Sequence, residues 1–558
     1  MDGRPLIAQS DQSLLLDAHD PAFDEVRAEL SAFATLEKSP EHFHAYRLDA
    51  LSLWNAASAG LDADAIVGVL ARRSRYDLPP SLEPAVRATM ARFGKLVLSA
   101  GPEPRLLRLS CDDPYVRAEV SGSRKLGKVL VPDGDGFLLP LTERGTVKRE
   151  LVHMGWPALD AAPLTDGDPF PLALRTMRSD GAPFGLRPYQ EDAVRAFVGR
   201  NAPGNGYGVV VMPCGAGKTV MAMAAMAALG RKTLIVTTNV AAVHQWMDEL
   251  LDKTDISPDD IGEYTGGAKE VRPVTVATYQ VLTWRPDKHS DFPHFDLFRR
   301  ERWGLVIYDE VHLLPAPVFR VVAEIQAVRR LGLTATLIRE DGLQEDVFSL
   351  IGPKRYDVPW KELEAKGFIA EAFCREIRVP LADHDRLRYA AGGLRERHRV
   401  AAENPLKVRV VREIIDNHRE DLVMVIGQFL DQLGVLAREL DAPIITGATP
   451  NPERERLYEE FRSGRIRVLV VSRVANFAID LPDASVAIQV SGTFGSRQEE
   501  AQRLGRVLRP KAKNSYFYSL VSRFTVEEDY ADNRRRFLTE QGYRYTIESW
   551  EEREWTPN

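Results

Sequence analysis

The chain has 558 residues, of which 44% are hydrophobic and 27% are charged, and its formal net charge is −7. This length exceeds one hydrophobic core, and at about 100 to 200 residues per domain it predicts three or four domains. Three widely spaced cysteines argue against a disulfide framework or a zinc ribbon. The acidic total charge gives no support for nucleic-acid binding, although a local basic groove would suffice for it.

Membrane insertion and secretion are not expected. No apolar run approaches the roughly 20 residues that a membrane-spanning helix needs, and the N-terminal residues lack the basic and apolar segments of a secretory signal. We therefore predict a cytoplasmic protein without a membrane partner.

The first part of the chain predicts two domains. Residues 1–110 are expected to be mainly helical, because the apolar residues of 41–74 are spaced by three and four. Residues 111–172 contain short apolar runs and turns, so we expect a small mixed α/β module there. Residues 165–185 are dense in Pro, Gly and Asp, which is typical of a linker.

The rest of the chain repeats one pattern twice. Apolar runs alternate with helical stretches in 173–355 and again in 406–558, with a linking region at 356–405. Strands that alternate with helices predict a parallel sheet with helices on both faces. The predicted fold class is therefore α/β, with two parallel-sheet lobes in tandem, preceded by a helical N-terminal domain and a small mixed α/β module. The predicted strands lie at 208–212, 232–238, 273–279, 304–310 and 329–336 in the first lobe and at 422–428, 442–448, 466–472, 486–492 and 516–522 in the second.

A glycine-rich loop, CGAGKT at 214–219, follows the first of these strands. Its glycines let backbone N–H groups turn towards phosphate oxygens, its lysine reaches the outer phosphates, and its threonine hydroxyl can ligate magnesium. The helix that follows, predicted to end near Gly230, adds partial positive charge at the same place. The pattern predicts a site for ATP and Mg²⁺. The predicted residues of this site are Gly215, Ala216, Gly217, Lys218 and Thr219.

An acidic pair, Asp309 and Glu310, follows another apolar run of the first lobe. Nucleotide hydrolysis needs one carboxylate to hold the metal ion and another group to orient and deprotonate the attacking water. We predict that Asp309 is a magnesium ligand and that Glu310 is the general base. The glycine-rich loop and the acidic pair, each at a strand end and in this order, together favour a nucleotide hydrolase.

The second lobe has no glycine-rich loop, but its stretch 498–511 carries polar residues at helical spacing. Gln502, Arg506 and Arg509 are separated by four and three residues, which places them along one face of a helix. Arginines supplied from a second lobe can stabilise the charge that develops in phosphoryl transfer. We predict catalytic roles for these three residues.

Residues at strand ends also predict contacts with a nucleic-acid strand lying across both lobes. Short hydroxyl and amide side chains and backbone N–H groups suit phosphate and sugar contacts, which carry no sequence information. The predicted contacts in the two lobes include Thr237, Thr278, Tyr279 and Arg473.

This series of motifs resembles the superfamily 2 helicases and is closely similar to the XPB family of DNA helicases. The resemblance covers both lobes and extends into the N-terminal text at 5–21. It is carried by LRPYQ at 186–190, MPCGAGKT at 212–219, YDEVHLLPAP at 308–317, LGLTATLIRED at 331–341 and SGTFGSRQEEAQRLGRVLRPK at 491–511.

The resemblance implies two RecA-like lobes that use ATP and magnesium to move 3′ to 5′ on DNA and open the duplex in repair or transcription. It implies that Gln190 contacts adenine and Asp480 contacts the ribose. It also implies that 111–172 stands where the family has a damage-recognition domain, and the region within 356–405 where it has a thumb insertion. The implied residues for coupling the cleft to DNA and for strand separation are Thr334, Thr336, Arg339, Glu340 and Asp341.

Three alternatives stay open at this point. The protein could be a double-stranded DNA translocase that does not separate strands, or an ATP-gated DNA clamp that recruits a nuclease or another repair partner. An RNA helicase is less favoured, because nothing local would sense a 2′-hydroxyl. Single-stranded DNA and duplex junctions are therefore the expected partners.

Overall fold

The computed structural model describes most of both predicted lobes and the residues before them. The chain divides into two compact units, one of residues 1–212 with 217–357 and the other of residues 358–558 with the loop 213–216. Within the part described, no helix has the length and apolarity needed to cross a membrane. The described residues are 4–38, 42–58, 60–103, 106–140, 143–162, 166–199, 206–213, 215–287, 293–295, 301–311, 329–335, 347, 351–352, 354–358, 360–472, 484–492, 514–532 and 545–551.

The N-terminal residues combine helices with a sheet, where the sequence predicted mainly helices. Four antiparallel strands pair in the order β1-β2-β4-β3. These strands are short and bury alternate residues, as Leu14 and Leu16 of β2 do. The prediction of helices relied on the apolar spacing of 41–74 and did not recognise this shorter pattern. The elements are β1 (Leu6–Ala8), β2 (Ser13–Asp17), α1 (Phe23–Ser31), β3 (Thr35–Lys38), β4 (Phe43–Arg47), α2 (Ala50–Ser58), α3 (Ala63–Arg73) and α4 (Leu82–Met90).

A second small sheet follows, with five strands in the order β7-β8-β6-β5-β9 and a separate core around Leu98, Leu109 and Leu139. Its mixed strand directions match the predicted α/β module, but the sheet starts before residue 110, where the module was expected to begin. The elements are β5 (Leu96–Ala100), β6 (Leu106–Cys111), α5 (Pro114–Gly122), β7 (Val131–Asp133), β8 (Gly136–Pro140), α6 (Arg144–His153) and β9 (Ala158–Asp160).

The described residues of the first lobe form seven parallel strands in the order β12-β13-β11-β14-β15-β10-β16. All five predicted strands are present, and the sequence missed β12 and β16 at the two edges. The elements are α7 (Pro188–Val198), β10 (Tyr207–Val211), α8 (Lys218–Leu229), β11 (Thr233–Thr237), α9 (Val240–Lys253), β12 (Ile261–Tyr264), β13 (Val274–Thr278), α10 (Tyr279–Leu282), β14 (Leu305–Tyr308), β15 (Arg329–Thr334) and β16 (Lys354–Asp357).

The region predicted as a linker, 356–405, contributes a strand to the second lobe. This strand, β17 (Ala372–Val379), pairs in parallel on both sides and buries Ile377 and Val379. Charged residues interrupt the apolar residues of β17, so no continuous apolar run indicated this strand in the sequence. The neighbouring helices are α11 (Trp360–Ala365), α12 (Asp383–Ala391) and α13 (Leu394–Ala402).

In the part of the second lobe that the structure describes, there are also seven parallel strands, in the order β19-β20-β18-β21-β22-β17-β23. The prediction of two parallel-sheet lobes is thus confirmed. The remaining elements are α14 (Leu406–Asn417), β18 (Val423–Gly427), α15 (Leu430–Glu439), β19 (Ile444–Ile445), α16 (Asn451–Arg462), β20 (Val468–Ser472), β21 (Val486–Gln489), β22 (Ser515–Ser522) and β23 (Tyr545–Ser549).

Candidate nucleotide site of the first lobe

The strand order of the first lobe brings its two predicted motifs to one edge of the sheet. The glycine-rich loop follows β10 and the acidic pair follows β14, and only β15 lies between these two strands. All three strands are parallel, so their carboxyl ends meet at the same edge, where open α/β sheets bind ligands. The Met212 N–H donates to the Thr334 carbonyl oxygen at 3.0 Å and ties the loop to the end of β15.

The glycine-rich loop has the backbone that its sequence predicts. Gly215 has a φ of 78° and Gly217 a φ of 77°, both in the left-handed region that favours glycine. The Ala216 N–H donates to the Pro213 carbonyl oxygen at 3.2 Å within the same turn. Helix α8 starts directly after Gly217 and ends before Gly230, as predicted. The first N–H groups of a helix have no partner within it, so this loop can bind an anion.

Two side chains of the first turn of α8 complete the loop. Lys218 is half-buried, and its Nζ donates to the Met212 carbonyl oxygen at 3.4 Å. Thr219 is also half-buried and follows directly in the same turn. A lysine ammonium and a threonine hydroxyl at these positions suit the outer phosphates and a magnesium ion.

Asp309 is held by three hydrogen bonds around its own atoms. The Trp246 indole N–H donates to its Oδ2 at 2.9 Å, and the Glu310 N–H donates to its Oδ1 at 3.0 Å. The Tyr279 hydroxyl donates to its carbonyl oxygen, also at 2.9 Å. All three donors are uncharged groups. They orient Asp309 but do not neutralise the charge of its carboxylate.

The surroundings of Asp309 destabilise its negative charge. Burial and the neighbouring Glu310 charge raise the pKa of Asp309 to about 6, while the Trp246 hydrogen bond and the Lys218 charge oppose the rise. A carboxylate so destabilised gains from a bound divalent ion, which favours its charged form.

Glu310 has an unusual backbone conformation. Its φ is 49°, in the left-handed region where residues other than glycine are uncommon and cost of order 1–3 kcal/mol. Such strain is concentrated at functional sites, where the surrounding structure holds it. The conformation therefore agrees with a special role for this position, directly after the proposed metal ligand.

Gln190, which the resemblance assigns to adenine, lies behind the phosphate loop. Its Nε2 donates to the Gly217 carbonyl oxygen at 3.4 Å, and its Oε1 accepts the Arg187 N–H at 2.9 Å at the start of α7. The side chain is buried, and a Cβ on Gly217 would collide with it. In this structure the amide thus supports the loop and caps a helix.

The threonines predicted to contact or couple to DNA lie at the expected sheet edge but are buried. Thr278 accepts the Val281 N–H at 3.3 Å and caps α10. Thr237 and Thr334 have no exposed surface. Their side chains therefore do not reach the surface of this lobe. The predicted residues that fall outside the described part of the chain are Thr336, Arg339, Glu340, Asp341, Arg473, Asp480, Gln502, Arg506 and Arg509.

Sequence reasoning missed Trp246, and it predicted Tyr279 only as a contact with the nucleic-acid strand and not as a partner of Asp309. Both are aromatic side chains with a polar tip, and such a tip usually finds a partner when the ring is buried. Trp246 lies on the buried face of α9, so its N–H was a signal that a partner existed. The sequence does not show that this partner is Asp309, because the contact depends on the pairing of β11, which precedes α9, with β14, which precedes Asp309.

The donor chemistry fits magnesium bound together with a nucleotide. The hydroxyl of Thr219 and the carboxylate of Asp309 are hard oxygen donors, and magnesium commonly keeps one or two protein ligands together with phosphates and water. Among the described residues, no group of three or more His, Cys, Asp or Glu side chains could hold a metal ion.

A glycine-rich loop and an Asp-Glu pair at one edge of the first of two parallel-sheet, RecA-like lobes are the features of a protein that binds and hydrolyses a nucleotide. Residues 363–554 match the family described as ERCC3/RAD25/XPB C-terminal helicase. Residues 183–339 match the res subunit of type III restriction enzymes, and residues 6–133 match a helicase conserved C-terminal domain.

Similar proteins cover almost the whole chain. It is 52% identical to a Kineococcus radiotolerans protein named DNA 3'-5' helicase XPB, over 97% of this chain and 96% of that protein. It is 49% identical to a Mycobacterium tuberculosis protein of the same name, over 97% of both. A 32% identical protein of Encephalitozoon cuniculi, over 98% of this chain and 83% of that protein, is named general transcription and DNA repair factor IIH helicase/translocase subunit XPB. The chain belongs to the XPB family of DNA helicases.

Proposed function

We propose that this protein is an ATP-hydrolysing DNA helicase that moves 3′ to 5′ and opens duplex DNA in repair or transcription. The observation that carries the proposal is that a glycine-rich loop and an acidic pair lie at the same edge of one sheet. The chain that holds them is similar over 97% of its length to two proteins named DNA 3'-5' helicase XPB. The repair and transcription setting is supported by the name of the Encephalitozoon relative.

The first lobe binds the nucleotide in this proposal. The N–H groups of the loop 215–217 and the ammonium of Lys218 hold the phosphates, and Gln190 keeps that loop in place and contacts adenine. Thr219 and Asp309 hold the magnesium ion, which offsets negative charge on the phosphates. Glu310 accepts a proton from the attacking water.

The second lobe supplies the remaining groups. Arg506 and Arg509 stabilise the charge that develops on the transferred phosphate, and Gln502 is the third catalytic residue of this lobe. Asp480 contacts the ribose. The residues that couple this chemistry to DNA are Thr336, Arg339, Glu340, Asp341 and Arg473.

Strand separation tests the proposal directly. We expect ATP and magnesium to support opening of a duplex with a 3′ single-stranded overhang, and little opening from a 5′ overhang. Glu310→Gln should abolish opening while leaving ATP binding measurable, because the variant keeps the size of the side chain and loses the base. Equal opening from both overhangs contradicts the polarity. Displacement of a triplex strand without release of a duplex strand contradicts helicase action.

A further inference from the structure

A cluster of three aromatic rings lies at the carboxyl ends of the outer strands of the first lobe. Tyr264 ends β12, and Trp284 follows α10, which itself follows β13. The His294 ring contacts both, with its centroid 5.7 Å from that of Tyr264 and 5.9 Å from that of Trp284. His294 Nδ1 and the Tyr264 hydroxyl are 2.9 Å apart and share a hydrogen bond. The cluster is therefore a fixed arrangement in which two rings support the third.

Trp284 is the ring of this cluster that faces solvent. Its relative exposure is 53%, although an indole is one of the largest apolar surfaces that a protein can bury. Among the described residues, its indole N–H has no hydrogen-bond partner. A supported, exposed aromatic face suits stacking against a flat ligand.

The charges beside this face are suited to an anionic ligand. Lys269 is exposed, and its Nζ lies 5.3 Å from the centre of the Tyr264 ring. Arg285 follows Trp284 directly and is also exposed. Burial and the Lys269 charge lower the pKa of His294, so this ring is neutral at pH 7 and adds no further charge. Two exposed carboxylates lie near these cations in the sequence, Asp287 two residues after Arg285 and Glu270 directly after Lys269.

We propose that Trp284 stacks on a nucleobase of the DNA strand held by the first lobe, with Lys269 and Arg285 beside the strand backbone. This inference rests on the proposed function and adds the residue that grips a base. An aromatic face beside cations is the arrangement by which proteins bind single strands without reading their sequence, since every base has a stacking face. The site therefore takes single-stranded DNA of any sequence.

The position of Trp284 also connects this contact to the nucleotide site. The single-turn helix α10 joins Trp284 to β13, and its first residue, Tyr279, donates to the Asp309 carbonyl oxygen. A base that moves Trp284 thus acts on a turn bonded to the proposed metal ligand. We expect occupation of Trp284 to contribute to the stimulation of ATP hydrolysis by DNA.

Binding of a fluorescent single-stranded oligonucleotide to the full-length protein, without nucleotide, tests the stacking contact. Base stacking on an aromatic residue is worth about 1–3 kcal/mol, so Trp284→Ala should weaken binding by roughly 5- to 150-fold. Trp284→Tyr should restore most of the affinity. Tyr76→Ala is the matched control, because Tyr76 is a 66% exposed aromatic residue of the N-terminal region and its loss should leave affinity unchanged.

Oligonucleotides with abasic sites distinguish the contribution of base stacking to DNA affinity from that of the phosphate charges. Replacing bases by abasic sites should weaken binding by the wild-type protein but not by Trp284→Ala, because that variant has lost the stacking partner. The DNA concentration for half-maximal ATPase stimulation should rise in the variant. Unchanged affinity of Trp284→Ala, or equal abasic losses in both proteins, overturns the stacking contact. Failure of the wild-type protein to bind DNA overturns the proposed function as well.

Discussion

The indole N–H of Trp246 donates a 2.9 Å hydrogen bond to Oδ2 of Asp309, the carboxylate that we propose as a magnesium ligand. Trp246 lies on α9 and Asp309 follows β14, so the bond joins a helix to a neighbouring strand end. Hydrogen bonds to a metal ligand set its orientation, and their removal commonly costs 10- to 100-fold in metal affinity or activity. We therefore propose that Trp246 positions Asp309 for the proposed metal site.

The first prediction concerns this bond. Trp246→Phe keeps an aromatic ring and loses the N–H donor, so we expect the magnesium concentration for half-maximal ATPase activity to rise about 10-fold or more. Trp54→Phe is the control, since the Trp54 N–H donates at 2.9 Å to the Thr89 carbonyl oxygen in the N-terminal region. That variant should lose some stability and keep the magnesium dependence. An unchanged magnesium requirement in Trp246→Phe contradicts the assignment.

The second prediction compares the two left-handed glycines that flank α8. Gly217→Ala places a Cβ against the Gln190 amide and strains the loop at a φ of 77°, so we expect ATP binding to be lost. Gly230→Ala has a φ of 60° with no atom closer than 4.0 Å, and it should cost only about 1–2 kcal/mol of stability. Titration with a fluorescent ATP analogue checks both variants. Loss of binding in both, or in neither, contradicts a specific role for the loop.

The sequence predicted the central strands of the fold better than it predicted the edge strands or the contacts within the site. The central strands of each lobe are continuous apolar runs because both faces of the sheet are covered, and these were predicted correctly. The edge strand β16, with the sequence KRYD, is half-buried and polar, so no apolar run marked it. The contacts of Trp246 and Tyr279 with Asp309 depend on strand order, which arises from folding and not from any local pattern.

The third prediction concerns a buried charge cluster in the small module. Asp160 of β9 accepts from Arg144 at 2.6 Å and from Lys148 at 2.8 Å, both on α6. Asp160→Asn leaves two largely buried cations without their carboxylate, so we expect a loss of about 3–5 kcal/mol of stability. Thermal unfolding of the variant measures this loss. Asp64→Asn is the control, because the Asp64–Arg87 pair is exposed and should matter little.

The same cluster predicts a pH dependence. Burial alone would raise the pKa of Asp160, but the charges of Lys148 and Arg144 outweigh it and hold the pKa well below its ordinary value. A carboxyl group with a lowered pKa contributes its stability above its unfolded pKa of about 3.9 and loses it as the pH falls. The stability difference between wild type and Asp160→Asn should therefore be full at pH 6 and shrink below about pH 4. A difference that grows in acid would contradict the ion-pair origin.

The last prediction concerns the second lobe, where Lys407 and Glu527 form a buried ion pair at 2.8 Å. Lys407 Nζ also donates to the Val490 carbonyl oxygen beyond β21, and Glu527 accepts the Ser522 N–H at the end of β22. The pair thus joins two adjacent strand ends of the lobe. Lys407→Met should cost about 3–5 kcal/mol, because it leaves a buried carboxylate without its cation.

Removing the second charge should then restore stability. In Lys407→Met combined with Glu527→Gln, no charge is left unpaired and the Gln oxygen can still accept the Ser522 N–H, so we expect the double variant to be more stable than Lys407→Met alone. Thermal unfolding of the single and double variants measures the coupling between the two residues. Strictly additive losses would mean that the two side chains stabilise the lobe independently, and that the strand ends are held together by other contacts.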